Sequence, residues 1–383
     1  DSIRSIEEFF DAGLNFFLEE YARSTNAVPQ KPLHGPYSGE DLVTYRDYAT
    51  ADIRSVVKSD LEVMRMINDL GLPKTIERVS GEPAYEYDSA SCHTAMHVVG
   101  RMAFDLSGFQ ALSECSTACF SGCYHGALER IATSENPPAL FGEAREYCAA
   151  QGTIFQRDQC FHGIGHAFMI FSKYRLEDAL NQCRTYGSTS EKSSCYSGVI
   201  MENYVGDPGI IGVTNPTAPS ADTGLHFPCT LFAGDPLVQE WCYKAQPNHF
   251  LEVFEGDFAR AGEECMNAPE SMRGACFMRL GQLSAADIPN PARSADDYCA
   301  TVPEAYFDEC IIGGLRFMIV NPGVDPEGRP ALFCRDLGSA EAKEVCYAEY
   351  ARKLTEMFTD IRARTDICSL FEAPYDRKCL AVQ

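Results

Sequence analysis

The chain has 383 residues, of which 45% are hydrophobic, and 32 basic against 55 acidic residues give a formal net charge of −23. This acidic balance argues against nucleic acids and anionic membrane surfaces as partners, because both need a basic face on the protein. No apolar stretch approaches the roughly 18 residues that a membrane-spanning helix requires. The length allows two average domains or one elongated array of small units.

The number of cysteines indicates the cellular compartment. The sequence contains 18 of them, an even number that is unusual for a cytosolic protein, where glutathione keeps thiols reduced. The chain starts at Asp1 rather than at methionine, so we expect a leader to have been removed. These features predict an extracellular or periplasmic protein in which all cysteines are bridged.

The first part of the chain lacks cysteine up to Cys92. Ile6, Phe9, Phe10 and Leu14 recur with helical spacing, and a proline-rich stretch that starts at Val28 is typical of a loop. We therefore predict an N-terminal helical cap over residues 1–91.

From Cys148 onward the spacing between cysteines alternates between a short gap and a long one, with a period of roughly 35 residues. Such a period is typical of helical hairpins that stack on their neighbours to bury their apolar faces. We predict an all-α protein, an α/α helical-hairpin solenoid in which a disulfide across each short gap staples one repeat. The predicted bridges are Cys148–Cys160, Cys183–Cys195, Cys229–Cys242, Cys265–Cys276, Cys299–Cys310, Cys334–Cys346 and Cys368–Cys379.

The same rhythm continues upstream. Cys115 and Cys123 form a further unit, and the remaining Cys92 and Cys119 are expected to bridge each other, although connectivity does not follow from sequence alone. An aromatic residue usually follows the second cysteine of a pair, and a glycine often stands two residues later, as in Cys123-Tyr-His-Gly. This pattern predicts a buried ring and a close approach between two helices.

Five of the eight histidines fall in three aligned motifs, which we place at helix starts. Each motif puts two metal-ligand side chains at positions i and i+4, on one face of a helix. In the next unit Ser197 takes the histidine position, and Glu202 follows one residue beyond the i+4 position. The motif pairs are His93 with His97, His125 with Glu129, and His162 with His166.

These side chains predict a metal centre. Stacked helices lie about 8–10 Å apart, so that side chains from neighbouring helices converge on an ion between them. Imidazole together with carboxylate suits Fe, Cu, Zn or Mn. Seven candidates exceed the three or four ligands of one ion, so two ions are plausible, and Glu129 is also a candidate general base. The predicted metal ligands are His93, His97, His125, Glu129, His162, His166 and Glu202.

A simpler interpretation is that these histidines are core residues repeated by duplication of the unit. Duplication predicts histidine in the later units as well, but their equivalent positions hold Lys244, Met278, Ile312 and Ala348. The other three histidines are weaker candidates. His226 is either a lid ligand or a surface residue, whereas His249 is expected at the surface and His34 in a loop.

The histidine pairs are similar to those of coupled binuclear copper proteins, and the mix of His and Glu on helices is similar to carboxylate-bridged di-iron bundles, although no Glu-x-x-His pair is present. Over residues 92–383 the period and stapled hairpins resemble Sel1-like and tetratricopeptide-type repeat proteins, in architecture only.

Two functions remain open. The first is a mono- or dinuclear metal centre with oxidative or hydrolytic activity, formed by the histidine-rich repeats of residues 92–204 and gated by the Gly/Pro-rich loop of residues 205–228. The second is an extracellular scaffold, with a structural metal or none, that binds a protein or assembles with itself through the repeats of residues 229–383.

Overall fold

The computed structural model describes residues 41–43, 46–85, 89–206, 208–220, 222–286, 299–320 and 328–382. Helices account for 73% of the structure, and the described residues form eighteen α-helices and no strand, which confirms the all-α class. Within the same residues, no helix combines the length and the apolarity that crossing a membrane requires. The helix predicted around Ile6, the proline-rich loop after Val28, and His34 lie outside the described residues.

The chain forms two compact units. The first ends at Pro216, and the second contains residues 152–155 and everything from Thr217 onward. The helices of the first unit are α1 (Ile53–Val56), α2 (Asp60–Leu70), α3 (Leu72–Ser80), α4 (Ser89–Ser107), α5 (Gln110–Glu114), α6 (Ala118–Ala132), α7 (Pro137–Ala149), α8 (Ile154–Phe171, from residue 156), α9 (Leu176–Arg184) and α10 (Thr189–Val205).

The second unit packs its helices around two apolar clusters, one centred on Phe250 and Phe277 and the other on Tyr347 and Phe371. Its helices are α11 (Pro236–Val253), α12 (Phe258–Asn267), α13 (Glu270–Ala286), α14 (Phe307–Val320), α15 (Arg329–Arg335), α16 (Ala340–Met357), α17 (Ile361–Cys368) and α18 (Tyr375–Ala381).

All nine predicted disulfides are present, including Cys92–Cys119 and Cys115–Cys123. A typical bridge joins the last turn of a shorter helix to the interior of the next one, as Cys183 of α9 does with Cys195 of α10. Because each bridge closes a short loop, it restricts the unfolded chain and fixes the angle of the hairpin.

The prediction that the histidine motifs stand at helix starts is wrong for His162 and His166, because their helix begins earlier in the chain. Ser188 caps α10 by accepting a hydrogen bond from the Glu191 backbone N–H, so this helix begins at Thr189, six residues before Cys195. Likewise α8 starts at Ile154, well before His162. His162 and His166 accordingly lie in a helix interior, whereas His93 follows the start of α4 at Ser89 by four residues and His125 follows the non-helical residue Ser121 by four.

The predicted close approach of helices at glycine is confirmed. A Cβ atom on Gly126 of α6 would lie 2.0 Å from the His97 carbonyl oxygen of α4, and one on Gly198 of α10 would lie 1.9 Å from the His162 carbonyl oxygen of α8. Only glycine permits backbones to come this near. These two contacts set the spacing of α4 with α6 and of α8 with α10, directly beside the histidines.

Leu380, which follows Cys379, is 51% exposed, but the residues that follow the second cysteines of the other seven hairpins are buried, as predicted, so each of these hairpins places an apolar side chain in its core. They are Tyr124, Phe161, Tyr196, Tyr243, Phe277, Ile311 and Tyr347.

Candidate metal centre

Five histidines from three helices of the first unit converge on one region. His93 and His97 come from α4, His125 from α6, and His162 and His166 from α8. Their ring nitrogens form two groups, within each of which the ligand atoms lie no more than 4.8 Å from one another. One group contains His93, His97 and His125, and the other contains His125, His162 and His166.

The first pair of histidines is anchored through its Nδ1 atoms. His93 Nδ1 donates to the Cys119 carbonyl oxygen at 2.8 Å, and His97 Nδ1 lies 2.9 Å from Glu129 Oε1. The Nε2 atoms of His93 and His97 face each other at 2.9 Å.

The second pair repeats this arrangement. Ser197 Oγ donates to the Ser194 carbonyl oxygen at 2.7 Å, so it accepts from His162 Nδ1, which lies 2.6 Å away. His166 Nδ1 donates to Glu202 Oε2 at 2.8 Å, and the Nε2 atoms of the two histidines are 3.0 Å apart.

The Nδ1 hydrogen bonds determine the tautomers of His93, His162 and His166, and the Glu129 carboxylate 2.9 Å from His97 Nδ1 favours the same tautomer for His97. A carbonyl oxygen and a carboxylate only accept hydrogen bonds, and the Ser197 hydroxyl has already given away its proton. Each Nδ1 therefore carries the hydrogen, and each Nε2 presents a lone pair. Within each pair two lone pairs point at each other at hydrogen-bond distance, which is repulsive unless a cation lies beside both of them.

A proton is a poor candidate for that cation. Burial, reinforced by the neighbouring imidazole of His97, lowers the pKa of His93 to about 3, and burial likewise lowers the pKa of His166 to about 3. The pKa values of His125 and His162 also fall well below their usual range, first because of burial and then because of adjacent histidines. These four rings therefore favour the neutral form, which is the form that binds metals.

The two carboxylates lie behind the rings rather than among the converging nitrogens. Glu129 contacts His97 with one oxygen, and its other oxygen accepts from Arg101 Nη1 at 3.2 Å. Burial raises the pKa of Glu129, but His97 and Arg101 outweigh this effect and bring it to about 2. Glu202 similarly accepts from the Tyr174 hydroxyl with the oxygen that His166 does not contact. Neither glutamate belongs to the two groups of nitrogens.

A strained turn stands next to the first pair. Cys119, Phe120 and Ser121 have φ values of 49°, 53° and 62°, a left-handed run inside α6 that side chains with a Cβ rarely adopt. Cys119 is bridged to Cys92, the neighbour of His93, and its carbonyl oxygen accepts from His93. The turn thus contributes to the position of His93, and strain of this kind often marks functional sites.

Two further histidines lie in the second unit. His226 contacts Glu264 at 3.1 Å and packs against the rings of Tyr243 and Phe250. The expectation that His249 is a surface residue is wrong, because it is only 3% exposed in the interior-facing side of α11. Neither residue belongs to a metal-ligand group within the described part of the chain.

Sequence reasoning missed three groups that support the site: Arg101, Tyr174 and the Cys119 carbonyl. Arg101 follows His97 at i+4, so helical periodicity places it on the same face as His93 and His97 and was a usable signal. Tyr174 stands in the turn after α8 with a φ of 55°, and no spacing rule places such a residue.

No protein-family model, curated protein or solved structure matches the chain. The functional interpretation therefore rests on the contacts of this site and on the disulfides.

Proposed function

We propose that this is an exported helical-repeat protein whose histidine cluster binds a transition metal, one or two ions, for oxidative or hydrolytic chemistry. The observation that supports this most is the geometry of the Nε2 atoms: two pairs of lone pairs face each other at 2.9 and 3.0 Å. A metal ion that accepts both lone pairs of a pair turns this repulsion into two bonds.

The donor set favours copper or zinc over iron or manganese. Neutral imidazole suits Cu and Zn, whereas manganese prefers oxygen ligands, and affinity for nitrogen sites rises towards copper along the divalent series. Each nitrogen group offers three histidines. Three protein ligands leave an open position on a four-coordinate ion, an arrangement that catalytic sites keep and closed structural sites lack.

For Glu129 and Glu202 we propose an orienting role in place of the ligand role that was predicted for both and the general-base role that was predicted for Glu129. Their contacts with the Nδ1 atoms of His97 and His166 match the carboxylate–histidine–metal arrangement, in which the carboxylate fixes the ring and makes it a better donor. Burial of both glutamates, at 5% and 4% exposure, removes the competing water that would weaken this effect.

The nine disulfides are consistent with an extracellular or periplasmic location, and they support the export that we propose. The proposal also includes a continuous solenoid, the segment limits drawn from the sequence, and gating of the metal site by residues 205–228. The alternative proposal is a scaffold that binds a protein, or a second copy of itself, through residues 229–383.

The experiment is a metal-binding titration of the oxidised, metal-free protein with Zn²⁺ and with Cu²⁺, together with metal analysis of protein from its native source. The test variant is the double substitution His97→Ala/His166→Ala, which removes one nitrogen from each pair. The matched control is His226→Ala, which removes a histidine outside the cluster. Circular dichroism establishes that each variant keeps its helices.

We expect tight binding by the unmodified protein and by the control, and a loss of at least a hundredfold in affinity for the double variant. Equal binding by the double variant and the control would contradict the proposal. Tight binding without any exchangeable water on the ion would instead favour the scaffold, because it would mean a closed coordination shell.

A further inference from the structure

His125 differs from the other four histidines of the cluster. Each of the others has an acceptor beside its Nδ1, whereas both ring nitrogens of His125 are buried and have no hydrogen-bond partner. The residue is 2% exposed, so bulk solvent does not reach its ring. A buried imidazole that satisfies neither nitrogen is costly for a folded protein.

The ring of His125 lies close to both pairs of histidines. Helix α6 packs against α4 through Gly126 and against α8 through Gly163, whose Cβ atom would lie 3.4 Å from His125 Cδ2. The His125 ring centroid is 5.0 and 5.3 Å from those of His93 and His97, and 5.2 and 4.6 Å from those of His162 and His166. It is the one residue common to the two groups of nitrogens.

We propose that His125 bridges two metal ions as an imidazolate. One ion binds the Nε2 atoms of His93 and His97, the other binds those of His162 and His166, and each takes one nitrogen of His125. This inference rests on the proposed metal-binding function and specifies its number of ions and their connection. Two metal–nitrogen bonds form at His125, its N–H bond breaks, and the proton leaves to a buffer base without any change of oxidation state.

The bridge accounts for the missing acceptor at His125. An ion bound to one nitrogen alone would leave the other nitrogen as a buried N–H without a partner, whereas two ions satisfy both lone pairs. The two divalent ions also supply the positive charge that stabilises the imidazolate in a buried place. The surrounding protein supplies two equivalent halves, since each pair has its own Nδ1 anchors and its own carboxylate.

Copper is the probe that distinguishes a bridge from two separate sites. Two Cu²⁺ ions joined by an imidazolate couple antiferromagnetically, so that electron paramagnetic resonance near liquid-helium temperature loses intensity although copper is bound. The protein is titrated with Cu²⁺, and bound copper and spin intensity are measured on the same samples. We expect two copper ions per chain, one for each group, with a spin intensity far below the bound copper.

Two comparisons make the result specific. Protein loaded with a small fraction of Cu²⁺ in a large excess of Zn²⁺ should give a spin intensity close to its bound copper, because nearly every copper ion then has a diamagnetic zinc neighbour, and this measurement needs no variant. His125→Gln should give a spin intensity equal to its bound copper, and His226→Ala should behave like the unmodified protein.

Two bound ions with full spin intensity in the unmodified protein would overturn the bridge and leave metal binding intact. A single bound ion per chain would overturn the bridge in the same way. Absence of copper binding would instead contradict the proposed function itself.

Discussion

Replacing Glu202 by glutamine is the most informative single substitution at the second histidine pair. The carboxylate accepts from His166 Nδ1 at 2.8 Å and from the Tyr174 hydroxyl, both in a buried place. A glutamine side chain offers one oxygen and one NH₂ group, so one of the two donors loses its acceptor. Loss of such an orienting partner lowers metal affinity by roughly 10- to 100-fold, or about 1.4–2.7 kcal/mol.

The assay is a competition titration of Zn²⁺ between the protein and a chromophoric chelator. The matched control is Glu191→Gln in the same helix α10, where the carboxylate pairs with Arg145 at 3.0 Å on a partly exposed surface. The control should bind zinc as the unmodified protein does. Unchanged affinity in Glu202→Gln would refute an orienting role, and a loss far beyond 100-fold would show that Glu202 is a direct ligand.

Three further predictions concern the packing of helices at glycine, the titration of the buried histidines, and the linkage of zinc binding to folding. Gly126→Ala should destabilise the protein by about 1–3 kcal/mol in urea unfolding, because its Cβ meets a backbone oxygen, whereas Gly142→Ala, with nothing within 4 Å in helix α7, should stabilise it by roughly 0.5–1 kcal/mol. Equal stabilities would refute the close approach. The metal-free protein should lose stability as the pH falls from the ordinary histidine pKa of 6.5 towards 3, because the unfolded state protonates first while His93 and His166 keep pKa values near 3. A flat stability profile measured by chemical unfolding across this window would contradict it. Zinc at 100 times its dissociation constant should raise the free energy of unfolding by about 2.7 kcal/mol, and a chelator should reverse the gain; an unchanged unfolding midpoint would argue against binding to the folded state.

The fold class and the disulfides could be predicted because they depend on the spacing of cysteines that lie close together in the sequence. A short gap between two cysteines limits them to one hairpin, so the pairs of the regular repeats follow almost directly, as for Cys183 and Cys195. The glycine after the second cysteine likewise reports a backbone contact, as Gly198 does at the His162 carbonyl. Both features depend on positions within one unit or between adjacent helices.

The set of histidines could be predicted, but the direction of their rings could not. Helical periodicity places His162 and His166 on one face, yet their tautomers depend on Ser197 and Glu202, which another helix supplies. Glu202 stands one residue off the expected position, and only the packing of α10 against α8 brings its carboxylate to His166. Its ligand role was predicted from its spacing, whereas its contacts with His166 and Tyr174 support the orienting role that we propose.

Burial in the second unit was harder still to predict. His249 belongs to no repeated histidine position and was expected at the surface, yet its ring is buried in α11 while the side chain of Glu252, three residues later, is 74% exposed. Neighbouring residues of one helix can thus differ completely in exposure when a second helix covers only one side.

The most direct test of the metal centre is an anomalous difference map from crystals of the zinc- or copper-loaded protein, recorded at the absorption edge of that metal. The proposed site predicts one peak beside the Nε2 atoms of His93 and His97 and a second beside those of His162 and His166. Strong peaks elsewhere in the protein, with none at these nitrogens, would contradict it.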